Sequence, residues 1–197
     1  MDLKKLAGTL LSSDSISGLS NATGASGSDI TSVLKAALPS LINGATNQAK
    51  DSSTSEGFAA ALSSHAKDDT NNLTKFLGNV DLKDGAKIIS HLLGSDKDNV
   101  VNEVSKETGV SKAKTNSILS AIGPLLMSLL GQQTDEDKDS GLDLGGLVGG
   151  LLDNVDMGDL LTGLLGGGSD SDSSTGNKKK KASSNNVLSG LLKGLLK

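Results

Sequence analysis

Apolar residues recur at three- and four-residue spacing along the first 131 residues, and no stretch alternates apolar with polar as a half-buried strand would. Leu3, Leu6, Leu10 and Leu11 form one face of a short opening helix. A Ser/Gly/Asn/Thr-rich segment anchored by Ile16 and Leu19 leads into a long pattern of Ile30, Val33, Leu34, Ala37, Leu38, Leu41 and Ile42. Residues 46 to 56 read as a polar connection. Helical spacing resumes at Phe58, Ala61, Leu62 and His65, then at Leu73, Phe76 and Leu77. Asp81 or Asp84 is expected to cap the next helix, whose Ile88, Ile89, Leu92 and Leu93 precede a stop at Gly94. After the helix formers Val100 to Glu107, the last pattern holds Ile118, Ile122, Leu125, Leu126 and Leu129, widened by Leu119, Met127 and Leu130. A helix apolar over most of its circumference is normally buried among others. This one is therefore predicted to be the central helix of an all-α bundle.

The punctuation of these patterns repeats. Thr23-Gly24 and Thr108-Gly109 lie 85 positions apart, and at that single offset Ser20 matches Ser105, Ser26 matches Ser111 and Pro39 matches Pro124. Leu19 with Val104, Val33 with Ile118, Leu34 with Leu119, Ala36 with Ala121 and Leu41 with Leu126 fall on the same offset. Glycine just past a helix end tolerates the left-handed conformation that closes the last turn. Ser111 then suits an N-cap, its hydroxyl accepting from a free amide of the following turn. Pro124 has no amide to donate and crowds the carbonyl four residues back, which predicts a kink near Ser120. We read two αα-corners, at residues 13–44 and 98–129, each a short helix, a Thr-Gly turn and a long Pro-kinked helix. They are expected to pack about a pseudo-twofold axis, each long helix covering the other's apolar face.

Beyond the helical domain, residues 1–132, the composition changes. Residues 133–176 carry ten acidic residues against one Lys, whereas residues 177–197 carry six Lys and no acid. Leu-Leu pairs beside Gly recur at Gly150, Gly163, Gly190 and Gly194. Each glycine costs a helix about 1 kcal/mol, so residues 133–197 read as a largely disordered, low-complexity tail. Its last segment puts Leu188, Leu191, Leu192 and Leu195 on one helical face, with Lys193 and Leu196 beside them, after the run Lys178 to Lys181. Four placements are open to it. It lies on an anionic membrane surface, where each nearby Lys contributes about 1 kcal/mol; it folds back on the acidic part of the tail; it pairs with another copy; or it takes no fixed place.

Composition narrows the function classes. With 1% aromatic residues the core must be built of Leu, Ile, Val and Ala, which suits helix-on-helix packing. The absence of cysteine excludes disulfides, a thiolate nucleophile and Cys-based zinc sites. All 19 basic residues are Lys, which counts against bidentate recognition of phosphate or guanine. The first eleven residues lack the apolar core of a secretory signal, and no run approaches a membrane span. The chain reads as soluble and cytoplasmic.

The block Gly85 to Gly94 (Gly-x-x-Ile-Ile-x-His-Leu-Leu-Gly), followed by Thr108-Gly109-Val110-Ser111 and Pro124-Leu125-Leu126-Met127, resembles the bacterial YidB-like family, a domain of unknown function. The resemblance covers most of residues 13–131. It implies an all-α fold and brings no catalytic residues, cofactor or partner with it.

Candidate chemistry is sparse. His65 and His91 are read as isolated imidazoles without a metal or base role, His91 near a helix C-terminus where the dipole favours positive charge. Asp135, Asp137 and Asp139 alternate as in a calcium loop, but Ser140 stands at the glycine position and Gly146 at the closing Glu position. The glycines from Gly145 to Gly150 follow no strand and open no clear helix, unlike a phosphate loop. Residues 100–119 have helix-turn-helix-like spacing with Lys112 and Lys114, yet their second helix runs straight into an apolar stripe. No nucleophile–base pair can be assembled. The expectation is a non-enzymatic helical interaction or scaffold module without cofactor or metal. It would self-associate or dock on another protein through the tail residues Leu188, Leu191, Leu192, Lys193, Leu195 and Leu196. Its structural positions would be Gly24, Pro39, Gly94, Gly109 and Pro124. DNA binding by the corner at 100–119 and membrane association through 178–197 are the alternatives.

Overall fold

Eight α-helices and one 3-10 turn make up residues 3–135, the part of the chain that the computed structural model describes. They are α1 (Leu3–Leu10), α2 (Ser13–Thr23), α3 (Gly27–Lys50), α4 (Ser55–His65), α5 (Leu73–Gly78), α6 (Leu82–Leu93), the turn Gly94–Asp96, α7 (Lys97–Thr108) and α8 (Lys112–Asp135). No strand occurs among the described residues, and the fold is all-α. The tail readings, including Leu188, Leu191, Leu192, Lys193, Leu195 and Leu196, lie outside the described residues.

Short polar side chains start the helices by accepting from amides of the first turn. Ser12 Oγ accepts from the Ser15 amide (3.2 Å), Ser26 Oγ from Asp29 (3.1 Å) and Asn72 Oδ1 from Lys75 (2.9 Å). Asp81, not Asp84, caps α6, its Oδ1 accepting from the Lys83 amide at 2.8 Å and the Asp84 amide at 3.4 Å. Gly94, at φ 53°, closes α6. The polar connection expected at 46–56 begins later than the sequence suggests. α3 continues to Lys50, because Ala45, Thr46 and Ala49 extend its buried face against α4 and α6. Alanine and threonine add little to an apolar pattern, but they fit where helices come close.

α8 is the centre of the bundle and touches all seven other helices. Ile118, Leu119, Ile122, Leu125 and Leu126 are fully buried, as expected for a helix apolar on all sides. Its most extensive packing is on α6 and then α4, whereas α3 packs most on α7. The two long helices do touch, but neither is the other's main cover. Both continue through their prolines.

The two Thr-Gly corners close with the same hydrogen bonds. Gly24 (φ 66°) and Gly109 (φ 72°) are left-handed and donate to Ser20 O and Ser105 O. Ser20 Oγ donates to Ala25 O (2.8 Å), and Ser105 Oγ to Val110 O (2.6 Å). Thr23 Oγ1 donates to Leu19 O (2.6 Å), and Thr108 Oγ1 to Val104 O (2.7 Å). Lys114 Nζ lies 3.5 Å from Asp29 Oδ2, and these two positions are themselves 85 apart, so the ion pair joins corresponding sites of the two corners.

Candidate functional site

α4 and α6 both lie on α8 and barely touch each other. Between them runs a groove with α8 as its floor. A glycine sets how closely α6 approaches. Pro124 has no amide to offer the Ser120 carbonyl, and Gly85 of α6 packs directly against that carbonyl, where an added Cβ would overlap its oxygen. The signals singled out in the sequence, Gly85 at the head of the Ile-Ile block and Pro124 in the long helix, thus meet at one crossing.

At one end of the groove a cavity of about 360 Å³ is lined by Phe58 and Ala61 of α4, Ile88 and Leu92 of α6, and Met127 of α8. Gln48, Ser53, Thr54 and His91 form its polar mouth. Gln48 Nε2 donates to the His91 carbonyl (2.8 Å), tying the end of α3 to the last turn of α6. This size and lining fall within the range of ligand-binding clefts. Phe58, Leu92 and Met127 are buried, while Ala61 and Ile88 are half-buried and face the opening.

One helical turn further along, a second cavity of about 410 Å³ is floored by Pro124 and Phe76 and rimmed by Asp68, Asp69, Asp81 and Asp84, with Lys75 as its one cation. Asp84 and Ile88 are four residues apart on α6, and Pro124 and Met127 three apart on α8, so the two cavities draw on neighbouring turns of the same two helices, with no lining residue in common. The cavity between α4 and α6 is thus apolar, and its neighbour is acidic. The groove's apolar wall residues Phe58, Ala61, Ile88 and Leu92 did not stand out as a site in the sequence, where each belonged to the helical pattern of its own element, and Asp81 and Asp84 were read only as caps.

His65 is not isolated. Its Nδ1 donates to Asp68 Oδ2 at 2.8 Å, a partner three residues on, and Ser128 Oγ of α8 lies 2.7 Å from the same carboxylate oxygen. Ser128 Oγ is also 2.8 Å from Pro124 O and is fully buried. A serine nucleophile needs the histidine as its own hydrogen-bond partner. Here serine and histidine both converge on the aspartate, which pins the end of α4 to α8. Gln132 Nε2 adds a bond to the Asp68 carbonyl (3.0 Å). His91 is exposed at the groove mouth. Among the described residues no three His, Asp or Glu side chains come together to hold a metal ion, and no helix is long and apolar enough to cross a membrane. The alternating aspartates and the Gly145–Gly150 run lie outside the described residues, apart from the backbone of Asp135 at the end of α8.

At the second corner, Ser111 caps α8 (Oγ to the Lys114 amide, 3.4 Å), and Lys112 and Lys114 are exposed. The nearby Asp29 carboxylate offsets part of that positive charge.

No match to the chain was found among curated proteins or solved structures. One family profile, described as a bacterial protein of unknown function (DUF937), matches residues 6–133, nearly the whole helical body. With the YidB-like blocks at Gly85–Gly94 and Pro124–Met127 inside that span, the chain belongs to this bacterial family of unknown function.

Proposed function

We propose that this protein is a non-enzymatic, cytoplasmic interaction module that seats an amphipathic helix of a protein partner between α4 and α6. The observation that carries this reading is a pair of cavities along α6 and α8: an apolar one built by Phe58, Ala61, Ile88 and Met127, and a separate one rimmed by four carboxylates. Helix-in-groove recognition places apolar side chains at i, i+3, i+4 and i+7 into such a cleft, while charges set direction and on-rate. The complementary helix carries lysines at one end and leucine-sized anchors at the other. Catalysis has less support, since the His65–Asp68–Ser128 cluster is wired as a structural clasp. DNA binding at the second corner has less support than the groove, since Lys114 is opposed by Asp29 and α8 is buried from Ile118 to Ser128.

The test is fluorescence anisotropy of a labelled peptide, a lysine run followed by leucines at helical spacing, titrated with the full chain. Ile88→Glu places a charge in the apolar cavity and is expected to weaken binding tenfold or more, about 1.4 kcal/mol. Added salt is expected to weaken it further through the acidic cavity. Unchanged affinity for Ile88→Glu would refute the groove as the binding site.

A further inference from the structure

We infer that the cleft between α3 and α7 is a second binding site, for a linear alkyl polyamine, and it stands independently of the groove between α4 and α6. A cavity of about 320 Å³ opens there. Gly44 brings α3 onto the end of α6, where an added Cβ would overlap the Leu92 carbonyl. Leu92 and Leu93 form the base of the cavity with Val100 of α7, and all three are buried. Its rims are polar. Ser40, Asn43 and Asn47 stand at i, i+3 and i+7 along α3, and Asp96, Asn99 and Glu103 keep the same spacing where α7 begins and runs on. That spacing keeps each row on one helical face for two turns. Among the described residues, Asp96 and Glu103 form no ion pair, and the six side chains make no hydrogen bond with one another. No lysine lines the cavity.

The chemistry of the ligand follows from this lining. Asp96 and Glu103 are seven residues apart, roughly 10 Å along the helix axis. A compact metal ion cannot reach both carboxylates, and among the described residues no third His, Asp or Glu joins them. An anion is repelled, and a neutral ligand leaves both charges without a partner. An extended amine with an ammonium at each end meets both carboxylates at once. Its methylenes lie on Leu92, Leu93 and Val100, and its inner N–H groups donate to the amide oxygens of the rims. Apolar contact then supplies grip while a few placed polar groups fix orientation. A triamine of spermidine's length spans the two acids, whereas the shorter diamine putrescine reaches one at a time. The site therefore selects by length as well as by charge.

Isothermal titration calorimetry of the full chain with spermidine is expected to show a saturable site about tenfold tighter than with putrescine. Asp96 makes no side-chain bond as the N-cap of α7, so Asp96→Asn leaves that helix start intact. Asp96→Asn and Glu103→Gln are each expected to weaken spermidine about fivefold or more and to erase its advantage over putrescine. Glu107→Gln removes an exposed acid of α7 that does not line the cavity, and is expected to leave the affinity unchanged. The acids of residues 133–176 attract any polyamine, but their share survives these substitutions. Side-chain amide NMR signals of Asn43, Asn47 and Asn99 are expected to shift with the calorimetric midpoint. Equal affinity for the two amines, an unchanged affinity in the Asp96→Asn, Glu103→Gln double variant, or an equal loss in Glu107→Gln would overturn the inference. So would displacement by magnesium ion as effective as displacement by spermidine itself.

Discussion

At Gly24 and Gly109 the backbone turns through positive φ, and only glycine does so without a side-chain clash. Gly109→Ala is expected to cost about 1–2 kcal/mol in chemical denaturation, the penalty of a left-handed alanine. Gly8→Ala, inside α1 with open space around the added methyl, is expected to change sign and gain about 0.5–1 kcal/mol. Asp51 gives a prediction in pH. Its Oδ1 accepts from the Ser53 hydroxyl (2.6 Å) and the Ser53 amide (2.8 Å), and these bonds hold its carboxyl below the ordinary carboxylate range. A lowered folded-state value means the contribution is present above the unfolded value and lost as pH falls through the folded one. A carboxyl-carbon NMR titration is expected to place the Asp51 midpoint below that of an unstructured Asp. Both glycines are legible in the sequence, because turn chemistry is local. The His65–Asp68 pair was equally legible at i, i+3, and reading His65 as isolated overlooked it; its third partner, Ser128, is 60 residues further on and was not.

Helices meet where small residues let them. Gly85→Ala would drive a methyl into the Ser120 carbonyl of α8, and neither backbone can yield easily. We expect a loss of about 1–3 kcal/mol, typical of overpacking, read as a drop in denaturation midpoint without loss of helicity. The clasp at the end of α4 predicts coupling: His65→Ala and Ser128→Ala share the Asp68 carboxylate, so a double-mutant cycle is expected to show an interaction energy of about 0.5 kcal/mol or more. Additive effects would mean that the two bonds act independently. The length of α3 belongs to this scale too. Its last turn is held by alanines and a threonine, whose weak apolar signal in sequence becomes real burial only against neighbouring helices.

Across the described body the buried side chains form one continuous cluster, from Leu6 of α1 to Leu130 of α8. A single core around a central helix predicts that the body melts as one unit. Circular dichroism at 222 nm and calorimetry on the full chain are expected to give coincident transitions; two separated transitions would show that the bundle is divided. The groove exists only at this scale. It needs α4 and α6 to lie beside each other on α8 without closing on each other, an outcome of side-chain volumes and crossing geometry rather than of any local motif.

By itself the amino-acid order determined the helices, their caps and stops, the burial of the last long helix and the all-α class. Those properties depend on apolar period and on backbone chemistry a few residues wide. Tertiary structure alone decided which helix covers which, and so replaced an expected mutual shielding of the two long helices by α6 and α4 on α8. It also decided that carboxylates of α6 and of the segment after α4 rim one cavity while α4, α6 and α8 line an apolar one. Residues tens of positions apart acquire a joint surface only when close packing selects one arrangement among many of similar pattern.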